Sequence, residues 1–404
     1  MHHKSLRLAA LLAASLNFLV AAEPIAVGLD VSLEGSSGLA GDVPKHQAFH
    51  GLALLHADFA KLEKPTEAVR LSGYASLLAL AGKGPTERFV GDALALSNTE
   101  GFNSVRLYSF WVEAGNAQWS LRVGSLLADE EFSGTAVGGN FFNSAFGWPT
   151  FISANTVNTG PAFFAAAPGA RLAVKLGDKA TWRTGIYDGD TFNSPAGDPS
   201  RNRDGLHLSV GGAQGWFGIT EVAYEATAAT RLKAGLWWHT AEFADVRDDA
   251  AGRRFAQSGK APATHSSNHG GYAVLEQTLA GESGKAGNIE AHARVGVAPV
   301  NRNAISWALD TGLAFTGLIP GRGDDVAAVG FTHAQVSPRF ARTAQLLAPR
   351  DPAPDYERVF EVNYKFKVSD KVNVQPDLQY ISHVGGSAAR SNALVFLLRV
   401  NSTF

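Results

Sequence analysis

Charged side chains fall on one alternating face of several segments whose other face is largely apolar. They are Arg171, Lys175 and Arg183; Glu221, Glu225, Arg231 and Lys233; Glu290 and Arg294; and Glu361, Lys365 and Asp377. Both signs share one face. That mixture suits hydrogen bonding to a neutral solute better than to an anion, for which a ladder of one sign is expected. Arg adds a planar fork that can donate to two adjacent hydroxyls at once. In RLYSFWVEA, Arg106 and Glu113 fall on opposite parities, so both reach one face only if a bulge or a strand end intervenes.

Bond-breaking chemistry finds less support. The twelve His form no H-E-x-x-H pair, and there is no G-x-S-x-G elbow. Asp188-Gly189-Asp190, with Asp198 and Asp204 nearby, lacks the ligand spacing of a calcium loop. Arg322-Gly323-Asp324 is explained as a turn. Neither a metal nor a cofactor is expected. Charge is close to balance at −2, with no basic stripe, which argues against a nucleic-acid partner.

The elements that would hold these charges alternate with period two. In the closing segment NALVFLLRVNSTF, Leu394, Phe396, Leu398, Val400 and Phe404 make an apolar set, against Val395, Leu397, Arg399, Asn401 and Thr403. In YERVFEVNYKFKVSD, Phe360, Val362, Tyr364, Phe366 and Val368 oppose Glu361, Asn363, Lys365 and Lys367. A short polar turn leads to Val372, Val374, Pro376, Leu378 and Tyr380 against Asn373, Gln375, Asp377 and Gln379. The polar face carries too much charge for a sandwich core, and the apolar face is too continuous for water. A transmembrane barrel, greasy outside and polar inside, accounts for both.

The N-terminus agrees. MHHKSLR, the apolar LAALLAASLNFLV and the small residues Val20-Ala21-Ala22 read as a secretory signal peptide over 1–22, leaving 23–404 as a single barrel domain. The chain has no cysteine, so sheet closure rather than disulfides must hold it. Sixteen strands are expected: Ile25–Glu34, Ala48–Ala60, Ala68–Leu80, Ser104–Glu113, Gln118–Leu127, Ala170–Leu176, Ala180–Tyr187, Trp216–Glu225, Thr230–Phe243, Gly271–Leu279, Asn288–Val297, Ile305–Ile319, Val326–Gln335 and the three C-terminal segments. GLHLSV, 205–210, is rejected on parity, since both termini belong on the periplasmic side. Short periplasmic turns then alternate with longer external loops. An all-β, antiparallel barrel of this size encloses an aqueous channel.

These residues resemble the carbohydrate-selective porins of Gram-negative outer membranes, the OprB-like family. The blocks run from roughly Phe89 to Phe404: VGDALALSN, RLYSFWVEA, SLRVGSLLADEEF, FFNSAFGWP, APGARLAV, TGIYDGD, GWFGITEVAYE, PGRGDD, FEVNYKFKVSDKVNVQPDLQYI and NALVFLLRV. The resemblance implies a sixteen-stranded porin admitting small neutral sugars by passive diffusion. Its surroundings would be outer-membrane lipid, and the terminal Phe404 would be read by the barrel assembly machinery. A homo-oligomer is compatible with it. The alternatives are a general diffusion porin, an outer-membrane barrel enzyme, and a non-transporting adhesin or assembly-support barrel.

The third external loop, about 128–169, is long, rich in aromatics and Asn, and uncharged after Glu131. Such a loop is poorly suited to protrude into water and is expected to fold into the lumen. Phe141, Asn143 and Trp148 are its expected solute contacts, since sugar C–H faces stack on rings while hydroxyls need paired donors and acceptors. Arg171 and Arg183 are expected to line the constriction opposite them, with Arg106, Glu113 and Glu221 also on the channel wall.

Overall fold

A computed structural model describes residues 25–404 apart from 42, 60–67, 195 and 213. The signal-peptide reading of 1–22 lies outside the described residues. Sixteen antiparallel strands close into one barrel. In chain order they are β1 (Ala26–Ala40), β2 (Gln47–Phe59), β3 (Arg70–Lys83), β4 (Ser104–Gly115), β5 (Trp119–Leu126), β6 (Ala167–Leu176), β7 (Ala180–Asp188), β8 (Trp216–Thr227) and β9 (Thr230–His239). A two-stranded hairpin outside the barrel, β10 (Phe243–Asp249) and β11 (Pro262–His265), follows. The barrel resumes with β12 (Asn268–Ala280), β13 (Ile289–Val297), β14 (Ile305–Thr316), β15 (Val326–Val336), β16 (Tyr356–Lys367), β17 (Val372–Ser382) and β18 (Ala393–Thr403).

Each strand pairs with its chain neighbours, β9 pairs with β12 past the hairpin, and β18 pairs with β1, Asp30 opposite Thr403. Closure leaves no sheet edge, and a spanning sheet requires this because hydrocarbon offers no partner for a bare N–H or C=O. Among the described residues no helix is long and apolar enough to cross a membrane.

The two faces divide as the alternation demands. Phe360, Val362, Tyr380, Phe396 and Leu398 are exposed on the outer wall, whereas Glu361, Asp377, Gln379 and Arg399 are buried on the inner one. The expected sixteen segments all become strands, and 205–210 does not. The differences are at the ends. β1 runs on to Ala40, which shortens the first external connection. β9 stops at His239, and Phe243 instead opens the external hairpin.

One irregularity matters for the lumen. The β3–β4 register shifts between Ala75, opposite Phe110, and Leu77, opposite Leu107. The extra residue flips parity within β4, so Arg106 above it and Glu113 below it both face inward.

Candidate functional site

The loop 127–166 lies against inward-facing residues of half the barrel, and its stretch from Ser133 to Gly147 is held by two opposite chemistries. Arg294 of β13, fully buried, spends its whole fork on the loop and on one acid. Its Nη1 donates to the carbonyls of Ser133 and Gly147, and its Nη2 to those of Ala145 and Phe146. Its Nε donates to Asp310 at 2.9 Å. Three strands along the same wall, Glu361 of β16 accepts the backbone N–H groups of Phe142 and Asn143 at 2.6 and 3.0 Å. A cation grips carbonyls and a carboxylate grips amides, which are the strong, charge-assisted kinds of hydrogen bond.

Glycine on the wall makes the seat. A Cβ at Gly330 would come within 2.7 Å of both Phe141 and Phe146, and one at Gly296 within 2.4 Å of Phe151. The rings of the loop lie where those side chains would stand.

This packing places the three expected loop contacts among the loop's own residues and the barrel wall. Phe141 is 1% exposed and stacks on Phe146 at 4.2 Å. Asn143 is wholly buried; its side chain accepts from Ala145 N–H and donates to Gln379. Trp148 donates its indole N–H to the Thr159 carbonyl at 2.7 Å and meets Phe217 edge-on. An apolar loop inside a wet channel must bury its own rings first, and these three hold the loop in place.

The wall residues also divide. Arg171 is 4% exposed and enclosed by partners: Nη2 donates to Glu113 at 2.7 Å, Nη1 donates to Ser120 Oγ, and Nε is ion-paired with Glu131 at 2.6 Å. Glu113 and Glu131 are shared with Arg122, so the four groups form one neutral cluster at the root of the loop. Glu221 accepts from Ser133 N–H and Tyr272 O–H. Arg106 lies 5.6 Å from the Phe164 ring centroid, with Nε and Nη1 lacking partners among the described residues.

Arg183 is different. It lines a cavity of about 500 Å³ bounded by the start of the loop, at Glu130, Glu131 and Thr135, and by Arg231, Lys233 and Glu276 of the wall. Its guanidinium has no hydrogen bond or ion pair among the described residues. Lys233, by contrast, donates to Gly134 O and pairs with Glu276 at 2.9 Å. Burial pushes Glu130 up to about 7, with the adjacent Asp129 charge adding to the shift, and burial raises Asp129 to about 6.

Two participants escaped the sequence reading. Glu276 was hidden because Tyr272 and Val274 precede it on the inward set of β12, which then reads as apolar. The second was the loop 84–103, which also enters the lumen. Glu357 accepts from Ala93 and Leu94 N–H, Gln379 donates to the Leu96 carbonyl, and Asn98 reaches Phe141 O. Its buried Val90, Leu94 and Leu96 were the available signal, since they are as ill-suited to water as the rings of the longer loop.

Comparison with known proteins places this architecture. Residues 59–404 match the carbohydrate-selective porin, OprB family, reaching further toward the N-terminus than Phe89. Porin B of Pseudomonas aeruginosa is 23% identical over 252 residues, which cover 58% of this chain and 54% of that relative. The chain thus spans about half the length of the curated relative it matches. A high-pH structure of Pseudomonas putida OprB superimposes with a TM-score of 0.80 at 21% identity, covering 94% of each chain. The outer membrane channel DcaP of Acinetobacter baumannii gives 0.55 at 10% identity, covering 94% of this chain and 97% of that one. At these identities the structures speak for the fold.

Proposed function

Because the chain belongs to the carbohydrate-selective porin family of Gram-negative outer membranes, we propose that it is a passive channel that admits small neutral sugars in preference to other solutes of their size. Family and fold are those of a channel rather than an enzyme. The observation that carries the sugar reading is the unpartnered Arg183 guanidinium beside a cavity lined by both signs of charge.

A sugar entering that cavity gives up water and needs donors and acceptors in return. Arg183 supplies a two-pronged donor, while Glu130 and Glu276 supply acceptors. An anion would meet four acids, and a cation would meet Arg183, Arg231 and Lys233, so neither gains what a neutral polyol gains. Arg171, Glu113, Glu221, Phe141, Asn143 and Trp148 act as positioning residues: they fix the loop that gives the cavity its roof. Arg106, above the bulge, is buried against the Phe164 ring and acts with them. Passage requires weak binding, so dissociation constants of millimolar order, about −4 kcal/mol, are expected.

Liposome swelling with glucose, a disaccharide and an amino acid of similar size tests the reading. Glucose should enter fastest relative to its size, and Arg183→Ala should erase that advantage. Rates ordered by size alone, unchanged by the substitution, would make the protein a general diffusion porin.

A further inference from the structure

Two grooves on the described outer wall differ in their lining. The first, about 660 Å³, is floored by Gly35 and Ser37 of β1 and walled by Phe49 of β2 and by Phe396 and Leu398 of β18, with Lys83 and Arg88 also lining it. Register explains the trough. Gly35 stands between Phe49 and Leu398, and Ser37 between Gln47 and Phe396, so two rows of larger side chains flank positions with almost no volume. Phe49, Phe396 and Leu398 are exposed on the lipid side, and Ser37 lies close to the external end of β1 at Ala40. A slot facing hydrocarbon is filled by hydrocarbon, since an empty one forfeits its dispersion contacts.

The charges distinguish this slot from an ordinary crevice. Arg88 is exposed and its side chain has no ion pair or hydrogen bond among the described residues. Lys83 pairs with Glu87 at 2.5 Å, both half exposed. One free cation, Arg88, and one shared with the exposed Glu87 therefore stand near the external end of the slot. The second groove, about 570 Å³ among Phe59, Leu71, Gly73, Phe110, Val112 and Val123, lies toward the periplasmic end and is lined by no Lys or Arg.

We propose that the first groove binds an acylated, phosphorylated lipid of the outer leaflet. One acyl chain lies over Gly35 and Ser37, and a headgroup phosphate is held by Arg88 and Lys83. The second groove takes acyl chains without regard to headgroup. This site is independent of the solute preference of the channel.

Native mass spectrometry of the folded barrel with diphosphorylated lipid A, and with the same lipid dephosphorylated, tests it. The phosphorylated form should be retained at about tenfold lower concentration, from one to two surface cations. Lys83→Ala with Arg88→Ala should bring the two curves together. A Cβ at Gly35 meets only Phe49 Cδ2, at 3.9 Å, so Gly35→Phe has room to enter the slot. Gly35→Phe and Ser37→Phe should each abolish the preference, whereas Gly73→Phe in the second groove should leave it intact; Ser37→Phe stands in if the glycine variant fails to fold. Equal retention of the two lipids by the unaltered protein would overturn the proposal. So would a preference that survives filling of the slot, or efficient Ser37→Cys disulfide linkage between two copies, which would make the groove a contact between protomers.

Discussion

Arg171 and Arg183 sit on adjacent strands, both facing inward, yet they belong to opposite halves of the channel's logic. Arg171 lies at the root of the loop 127–166, where two carboxylates and a serine take its donors. Arg183 lies one strand on, shares a cavity with the loop, and keeps its fork free. The same contrast runs around the barrel. From β13 to β18 the inner wall is a clamp, with Arg294, Glu357, Glu361 and Gln379 bonded to loop backbone. From β7 to β12 the wall holds only the start of the loop, through Glu221, Lys233 and Glu276, and leaves the Arg183 fork beside the cavity without a partner among the described residues. Polar side chains of similar type hold structure where the loops lie on them and are available for binding where they do not.

The largest effect expected of that division is on the clamp. Arg294→Ala would leave Asp310 buried without its cation and four loop carbonyls without their donor. A loss of about 3–5 kcal/mol is expected, as for breaking a buried pair from one side. Denaturant midpoints of the refolded barrel should fall, and single-channel conductance should rise as the loop lifts. Glu361→Ala should act in the same direction more weakly, about 1–3 kcal/mol, since two buried amides lose their acceptor. Unchanged conductance in both variants would mean that the loop holds its place without the clamp.

The two arginines sharpen the comparison. Arg171→Ala should lower stability, because Glu113 and Glu131 would be left to Arg122 alone, and should weaken glucose block only through the loop. Arg183→Ala should change stability by no more than about 0.5 kcal/mol while weakening glucose block and shifting ion selectivity toward cations. If both variants alter stability and block to the same degree, the distinction drawn between them fails.

The smallest effect is set by pH. Glu130 in the loop titrates near 7 and Asp129 near 6, both raised by burial. For a carboxyl whose folded value is raised, the contribution to stability is fully present below the unfolded value of about 4. It is then lost as pH rises through about 6 to 7. Reversal potentials in a salt gradient should therefore move toward cation selectivity between pH 5 and 8, and Glu130→Gln should flatten most of that change.

The strands were legible in the sequence because each carries its own period-two signal, bounded by turn residues. The lumen was legible only to the level of which residues face it. Alternation placed Arg171 and Arg183 on one face equally, and what separates them is where a distant loop comes down. Phe141 and Asn143 show the same limit: the loop's composition argued for an inward position, but composition does not say which ring meets the wall and which the water. The bulge in β4 fell between. The opposite parities of Arg106 and Glu113 required it, while its position between Leu107 and Phe110 is set by pairing with β3.

The closing pair has a consequence in time. Phe404 N–H donates to Leu29 O, Leu29 N–H donates to Phe404 O, and Thr403 bonds Asp30 across 373 positions of sequence. Among the described residues the seam between the first and last strands is the most non-local contact, and although β1 pairs early with β2, its other edge has no partner until the last strand has been synthesised and delivered. Until then both strands carry bare edges of the kind that pair with any neighbour. Such topologies gain little from local contacts along the way and are slow to form. The chain therefore depends on being kept apart from its own copies for as long as its two ends take to meet.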